Sequence, residues 1–336
     1  MFLAVAAMAS ASAAAAQAPS YHVSRHLNVG GDGGWDYPLV DTTRSRLFLS
    51  RGTHVMVVST DSGTVIGDIP NTPGVHGIAV APELNKGFIS NGRDSSMTIF
   101  DYTTLATIGN VKVGAANPDA ILYDPFSRRV FTFNGRSQNA TAIDATNHTV
   151  LGTVPLGGKP EFAQTDLNGK IWVNIEDSSQ VAVFDARTLQ VLGKYSLAPC
   201  EEPSGLAIDR VHHRLFAVCS NKLMAVVNTD NGRVIATLPI GDGTDGVAFD
   251  PTTGLAFAAC GEGVVTIVHE DAPDRFSVVA TVPTQRGART ITVDPRTHRV
   301  YMPAAQYAPA PDPVAGQPRP RPQMVPGSFT VVVVEP

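Results

Sequence analysis

Residues 124–134 read Asp-Pro-Phe-Ser-Arg-Arg-Val-Phe-Thr-Phe-Asn, a turn followed by an apolar-aromatic strand. Proline presets a backbone angle of the turn, and the aspartate side chain accepts hydrogen bonds from the backbone amides that follow. The alternating β-branched and aromatic residues after the turn are typical of a half-buried strand. A short apolar segment at 117–123 precedes the turn, and further segments at 141–144 and 150–154 follow. The unit therefore predicts four consecutive antiparallel strands.

The same turn-and-strand pattern occurs seven times along the chain. The second member of each apolar-aromatic pair falls at Phe48, Phe88, Phe131, Trp172, Phe216, Ala256 and Tyr301. The intervals between these positions are 40, 43, 41, 44, 40 and 45 residues, which is the period of a four-stranded propeller blade. We therefore predict an all-β fold over residues 17–336, a single seven-bladed β-propeller with four-stranded antiparallel blades.

The two ends of the chain indicate how the ring closes. After the turn-strand pair at 300–302, the last unit has only one more strand, at 329–334. Residues 21–29 precede the first innermost strand and have the pattern of an outer strand. An open sheet edge would invite aggregation, whereas a closed ring removes it. We therefore expect the N-terminal strand to complete the seventh blade.

The composition excludes some classes of function. Of the 336 residues, 43% are hydrophobic and 16% charged, so a large core is available. The formal net charge is −5, and no basic stripe interleaved with aromatic residues occurs. Because phosphate binding needs a concentrated basic surface, general nucleic-acid binding is not expected.

The first residues are typical of an export signal. Residues 1–16 form an alanine-rich apolar run that ends in three alanines before Gln17. This run is too short and too weakly hydrophobic for a membrane span, and small residues are typical of a signal cleavage site. We predict export to the periplasm or secretion. The alternative interpretation is a disordered alanine-rich tail.

The three cysteines, Cys200, Cys219 and Cys260, are too few for a disulfide scaffold and lack metal-motif spacing. Export would permit one bridge. The blade pattern places Cys200 and Cys219 towards the same face, so a bond between them and two buried free thiols are both open interpretations.

The strongest functional signal lies five positions before each turn marker, where each innermost strand begins. Innermost strands line the channel of a propeller, and their starts share one face with connecting loops, where binding sites concentrate. We therefore predict a ligand-binding ring at the channel mouth, which we call the mouth ring. Its members are Asp36, His76, Asp119, Glu161, Ser204, Asp245 and Arg289.

Three interpretations of the mouth ring stay open. The side chains can simply hydrate a water-filled channel. His76 with two or three of Asp36, Asp119, Glu161 and Asp245 can bind a divalent metal such as Ca²⁺ or a transition metal, because carboxylates and imidazoles are protein ligands of such ions. The preferred metal set is His76, Asp119, Glu161 and Asp245. Alternatively, Arg289 can bind the carboxylate or phosphate of an organic ligand.

Two further features are expected on the mouth face. Trp35 follows the glycine-rich run at 30–34, and it either packs on a neighbouring blade or covers a ligand. The proline-rich insertion at 304–328 replaces a short loop of the last blade, as a lid, a partner contact or a flexible segment. We expect charged residues after the second strands, such as Arg51, to lie on the rim, and the histidine pair at 212–213 to form a surface turn on the opposite face.

The turn-strand pattern Asp-Pro…Arg/Lys-Val/Leu-Phe/Tyr and its paired strands cover nearly all of residues 21–336. In this pattern the chain resembles the YVTN-repeat, YncE-like family of seven-bladed propellers. The resemblance implies a soluble, usually exported propeller, and it implies no particular reaction.

Three functions are compatible with these observations. The first is a periplasmic or secreted monomeric binding protein that takes a small molecule, a metal or a protein partner at the channel mouth. The second is a metal-dependent hydrolase or lactonase-like enzyme whose channel cation polarises a carbonyl. The third is a subunit of an electron-transfer complex. No Cys-x-x-Cys-His motif occurs, so covalent haem is not expected and a partner would carry the cofactor. The first is favoured because the mouth ring contains no recognisable nucleophile–base pair.

Overall fold

The computed structural model describes residues 20–310 and 322–336. The predicted export segment at 1–16 lies outside the described residues, as does the central part of the proline-rich insertion. No α-helix occurs in the described part of the chain, and its two 3₁₀ helices are Pro82–Leu84 and Glu176–Ser178. No helix within it is long and apolar enough to cross a membrane.

The described residues form seven antiparallel sheets of four strands each, with the same strand order from the channel outward. The innermost strands are β2 (Leu39–Asp41), β6 (Val75–Ala81), β10 (Pro118–Asp124), β14 (Pro160–Thr165), β18 (Pro203–Asp209), β22 (Thr244–Asp250) and β26 (Thr292–Asp294). The second strands are β3 (Arg46–Ser50), β7 (Lys86–Asn91), β11 (Arg129–Asn134), β15 (Lys170–Ile175), β19 (Arg214–Cys219), β23 (Leu255–Cys260) and β27 (Arg299–Ala304).

The third and outer strands complete each blade. The third strands are β4 (Val55–Ser59), β8 (Ser96–Asp101), β12 (Asn139–Asp144), β16 (Gln180–Asp185), β20 (Leu223–Asn228), β24 (Val264–Ala272) and β28 (Thr330–Glu335). The outer strands are β5 (Val65–Ile69), β9 (Thr107–Lys112), β13 (Val150–Pro155), β17 (Val191–Ser196), β21 (Arg233–Pro239), β25 (Arg275–Pro283) and β1 (His22–Leu27). The predicted seven-bladed β-propeller is therefore confirmed.

The N-terminal strand closes the ring as predicted. Strand β1 pairs with β28 in antiparallel register from His22 opposite Glu335 to Leu27 opposite Val331. The Thr330 hydroxyl reinforces this pairing by donating to the Leu27 carbonyl at 3.0 Å. Consecutive innermost strands contact one another around the whole channel, including β26 with β2. The seventh blade thus joins both ends of the chain.

The turn aspartate explains why the repeat has its sequence. Asp124 Oδ2 accepts from the Ser127 amide at 2.9 Å, which fixes the turn before β11. Its Oδ1 accepts from the Thr165 hydroxyl of the next blade at 2.7 Å. One buried carboxylate therefore holds a turn and joins two blades. Arg128 completes the turn with a φ of 55°, a left-handed angle that the hydrogen-bonded turn has to support.

The core lies between neighbouring blades. In blade three the second and third strands are buried almost throughout, whereas the outer strand, β13, exposes four of its six residues. Phe131 of blade three meets Phe184 of blade four with ring centroids 5.4 Å apart, and Phe133 joins the same cluster. Burying one such side chain contributes roughly 1.5–3 kcal/mol. These interfaces hold the innermost strands in fixed positions around the channel.

The structure contains a disulfide bond between Cys200, in the loop that enters blade five, and Cys219, at the end of β19. Their Cα atoms are 5.7 Å apart. Cys260 is a buried free thiol. Of the two interpretations of the cysteines, the structure thus shows the bridge.

Candidate functional site

The mouth ring occupies equivalent positions in the seven blades. His76, Asp119, Glu161, Ser204 and Asp245 are each the second residue of an innermost strand. Asp36 and Arg289 lie three residues before β2 and β26. Because the strands start at the same end of the channel, all seven predicted side chains belong to one mouth.

An acid–imidazole cluster joins the first three blades. His76 Nδ1 lies 2.7 Å from Asp36 Oδ2 and 3.4 Å from Asp119 Oδ1. Ligand atoms of the three side chains all lie within 4.8 Å of one another, a spacing that could hold a metal ion. Asp119 Oδ1 is buried, and within the described residues it makes no hydrogen bond, although the His76 ring lies beside it. We call these three residues the mouth cluster.

The charges of the mouth cluster are strongly coupled. Burial alone would lower the pKa of His76, but the hydrogen bond to Asp36 and the charge of Asp119 outweigh it and raise that pKa to about 9. Burial raises the pKa of the Asp119 carboxyl, against the attraction of the His76 charge. Without another cation, the imidazole is therefore protonated at neutral pH and neutralises part of the acidic mouth.

Glu161 belongs to a second group of charges. Lys159 Nζ lies 2.7 Å from Glu161 Oε1 and also binds Glu176. The Tyr37 hydroxyl donates to Glu161 Oε2 at 3.2 Å. Burial and repulsion from Asp119 raise the pKa of Glu161 to about 7, although Lys159 opposes this. Glu161 is thus already paired with a lysine on one oxygen and a phenol on the other.

The remaining ring members pair among themselves or with the backbone. Arg289 Nε lies 2.9 Å from Asp245 Oδ2. Burial raises the pKa of Asp245, and the Arg289 charge works against that rise. The Ser204 hydroxyl donates to the Thr244 carbonyl at 3.3 Å, so it is not held by a general base. The geometry therefore groups His76 and Asp119 with Asp36, and not with Glu161 and Asp245 of the predicted metal set.

An aromatic floor lies directly behind the mouth ring. Tyr37 and Phe162, each one residue after a ring position, meet with centroids 5.1 Å apart. Behind them, innermost-strand residues line a mainly apolar cavity of about 250 Å³. A smaller cavity beside Gly205 and Gly246 shares the same two aromatic side chains. Tyr37 and Phe162 thus separate a polar mouth from an apolar channel.

Glycines after the second strands give the mouth its room. A Cβ atom added at Gly92 would lie 2.6 Å from His76 Nε2 and 3.1 Å from Asn117 Oδ1. A Cβ atom at Gly135 would approach Asn117 Nδ2 to 3.4 Å. The sequence analysis did not identify these glycines as part of the mouth. The repeated Asn-Gly pair at the ends of β7 and β11 was a visible signal.

Trp35 and Arg51 lie against the last blade. The Trp35 ring is 5.3 Å from that of Phe329 and 6.3 Å from that of Tyr307. Arg51 was expected on the rim, but it is fully buried, because its guanidinium stacks 3.4 Å above the Phe329 ring and donates to the Gly31 carbonyl at 2.8 Å. Burial lowers the pKa of Arg51 to about 10. Both side chains therefore pack the joint between the first and last blades.

The described arms of the proline-rich insertion pair with each other. Tyr307 and Met324 form an isolated bridge, and the Ala308 amide donates to the Gln323 carbonyl at 2.9 Å. An open groove of about 1020 Å³ separates these arms from the loop around Arg286. The arms thus lie on the mouth face, beside the ring.

The comparisons with known proteins agree with this architecture. No family model matches the sequence, and no curated protein matches it. Among solved structures, the chain is similar to the hydrazine synthase of Kuenenia stuttgartiensis, with 17% identity, a TM-score of 0.68, and coverage of 82% of this chain and 93% of that one.

Two further similarities span almost the full length. The structure of U3-55K matches with 11% identity and a TM-score of 0.74, over 93% of this chain and 98% of that one. The WD40 repeats of RRP9 match with 11% identity and a TM-score of 0.75, over 95% and 99%. At such identities the likeness extends to the fold alone, and the YVTN-repeat, YncE-like family stays a prediction. By its fold, the chain is a seven-bladed β-propeller.

Proposed function

We propose that this chain is an exported, monomeric binding propeller of the YncE-like kind whose channel mouth takes a cationic ligand. A divalent metal ion held by Asp36, His76 and Asp119 is the occupant that the geometry favours. Two observations carry the proposal. Asp119 Oδ1 is buried and makes no hydrogen bond within the described residues, and ligand atoms of Asp36, His76 and Asp119 all lie within 4.8 Å of one another. Two carboxylates and an imidazole are a common donor set for such ions.

The charge of the mouth supports a cation. Five carboxylates, from Asp36, Asp119, Glu161, Glu176 and Asp245, face two permanent cations and one imidazole. An acidic mouth with low-dielectric walls concentrates cations and speeds their binding. The aromatic floor below the ring restricts entry to this face. Export is supported by the Cys200–Cys219 bond, because such bonds persist in oxidising compartments.

Calorimetric titration of the chain with Zn²⁺, Mn²⁺ and Ca²⁺ tests the proposal. We expect Asp119→Asn and Asp36→Asn to weaken mouth binding by roughly tenfold or more, the scale on which changes around a metal act. Asp94→Asn is the matched control, because Asp94 is a rim carboxylate paired with Lys112. The proposal is wrong if the wild type binds no cation, or if Asp94→Asn is as damaging as Asp119→Asn.

A panel of small carboxylates distinguishes the anionic alternative. If Arg289 binds an organic anion, Arg289→Ala removes roughly 2–5 kcal/mol of binding free energy, while Asp119→Asn leaves it intact. The enzyme hypothesis depends on the same cation, since a bound metal would be needed to polarise a substrate carbonyl.

A further inference from the structure

The third strand of blade six is longer than those of its neighbours. Strands β24 and β25 have nine residues each, whereas β16 and β20 have six. The extended hairpin reaches over blade five, where Arg214 Nε donates to the Pro273 carbonyl at 2.7 Å and Arg214 Nη2 lies 2.9 Å from Asp274 Oδ1. This extension brings Glu270 to the turn aspartate of blade five, Asp209.

Glu270 does not accept hydrogen bonds from turn amides, as the equivalent residues of other blades do. At the equivalent position of blades two, three and four, Asp101, Asp144 and Asp185 accept amide hydrogen bonds from the turn that follows. In blade six the strands continue and the turn lies farther out, so Glu270 has no turn amide. Its side chain is only 3% exposed. Neither of its oxygens makes a well-formed hydrogen bond within residues 20–310 and 322–336, and the neighbouring polar groups are the Asp209 carboxylate and the His212 ring.

The side chain that faces the turn aspartate also differs at the junction between blades five and six. At three other junctions the next blade gives the turn aspartate a side chain able to donate. These pairs are Tyr102 with Asp41 at 2.6 Å, Thr165 with Asp124 at 2.7 Å and His298 with Asp250 at 2.7 Å. Blade six instead offers Asp209 a second carboxylate. Two buried carboxylates side by side stay ionised together only when a cation lies between them, and otherwise they share a proton.

His212 supplies a third ligand atom. Its Nδ1 lies 2.7 Å from Asp209 Oδ2 and 3.4 Å from Glu270 Oε2, and all three ligand atoms fall within 4.8 Å of one another. Asp209 Oδ1 accepts from the Val211 amide at 2.8 Å, which orients the other oxygen towards this centre. The His212 side chain is 48% exposed, so one side of the centre is open to water.

We propose that Asp209, His212 and Glu270 form a second metal site, on the face opposite the mouth, for a divalent transition metal of the zinc type. Two carboxylates and one imidazole suit Zn²⁺ or Mn²⁺, whereas Ca²⁺ takes six to eight oxygen ligands. The ion ties the hairpin of blade six to the turn of blade five. The site goes beyond the proposed function of the mouth and is independent of it.

Titration of the full chain with Zn²⁺ tests the site, in an Asp119→Asn background that weakens the mouth cluster. We expect one equivalent of Zn²⁺ to bind and to raise the thermal midpoint. Glu270→Gln, which keeps the shape and can donate to Asp209, should weaken Zn²⁺ binding at least tenfold. His212→Gln should do the same. His213→Gln is the matched control, because the neighbouring imidazole binds Asp230 instead and should leave the affinity unchanged.

Two outcomes would contradict the second site. If the Asp119→Asn protein binds no Zn²⁺ and Glu270→Gln raises its thermal midpoint, the two carboxyls share a proton and no metal site exists there. Equal losses in the variants of His212 and His213 would indicate adventitious binding to surface histidines. Failure of the mouth is seen separately, as identical Zn²⁺ binding in the Asp119→Asn protein and in the wild type.

Discussion

The ring of Tyr37, from the first blade, contacts the ring of Phe162, from the fourth, with centroids 5.1 Å apart. The two blades stand on opposite sides of the channel, so this contact crosses it. The Tyr37 hydroxyl also donates to Glu161, the residue before Phe162. The aromatic floor is therefore hydrogen-bonded to the charged ring above it at Glu161.

The first prediction concerns this floor. Phe162→Ala removes the contact across the channel and joins the two cavities. We expect a loss of about 3 kcal/mol in the free energy of unfolding, at the low end for phenylalanine truncation because the ring is only partly buried. Urea denaturation measures it. Phe126→Ala is the control, since Phe126 is 38% exposed in the turn between β10 and β11 and its truncation should cost clearly less stability. Equal losses would contradict a structural floor.

The second prediction concerns pH. The pKa of His76 rises from its ordinary 6.5 to about 9 in the folded chain. The charged imidazole therefore stabilises the fold fully below pH 6.5, and this contribution is lost as the pH rises through about 9. In the presence of a chelator, the difference in thermal midpoint between wild type and His76→Gln should be largest near pH 6 and vanish above pH 9. A histidine resonance of His76 titrating at or below 6.5 would exclude the ion pairing.

The third prediction concerns the disulfide. Cys200 and Cys219 are separated by 19 residues, and closing a loop of this size stabilises a fold by about 3 kcal/mol. Replacing both cysteines with alanine should lower the free energy of unfolding by roughly that amount and abolish the effect of a reductant. Cys260→Ala should keep the reductant effect, because Cys260 is a free thiol. Three titratable thiols in the denatured, unreduced wild type would show that the bond does not form.

The fourth prediction concerns ring closure. Deleting residues 1–29 removes β1 and exposes the edge of β28 over Val331–Glu335. We expect aggregation or a large fall in the thermal midpoint, because an unpaired edge strand recruits other chains. Deleting only residues 1–19 leaves β1 intact and serves as the control. A monomeric 1–29 deletion that is as stable as this control would contradict the role of β1.

The fold was predictable from the sequence because the same local turn-and-strand pattern is repeated seven times. The turn aspartates, the strand alternation and the 40–45-residue period each depend on a few neighbouring residues, and the ring follows from their number. The residues of the mouth ring could also be predicted, because equivalent positions of the seven repeats lie at the same end of the channel.

Which side chains meet was decided by the tertiary structure alone. Among the candidate ligands, Asp36 and Asp119 lie beside His76, whereas Glu161 is held by Lys159 and Tyr37. No spacing in the sequence expresses this choice. Arg51 is buried because the last blade places Phe329 beneath it. Glu270 reaches Asp209 only because a longer hairpin crosses to the neighbouring blade. The sequence alone determined the repeat and hence the ring, whereas distances between side chains of different blades depend on packing, which exists only once the ring has closed.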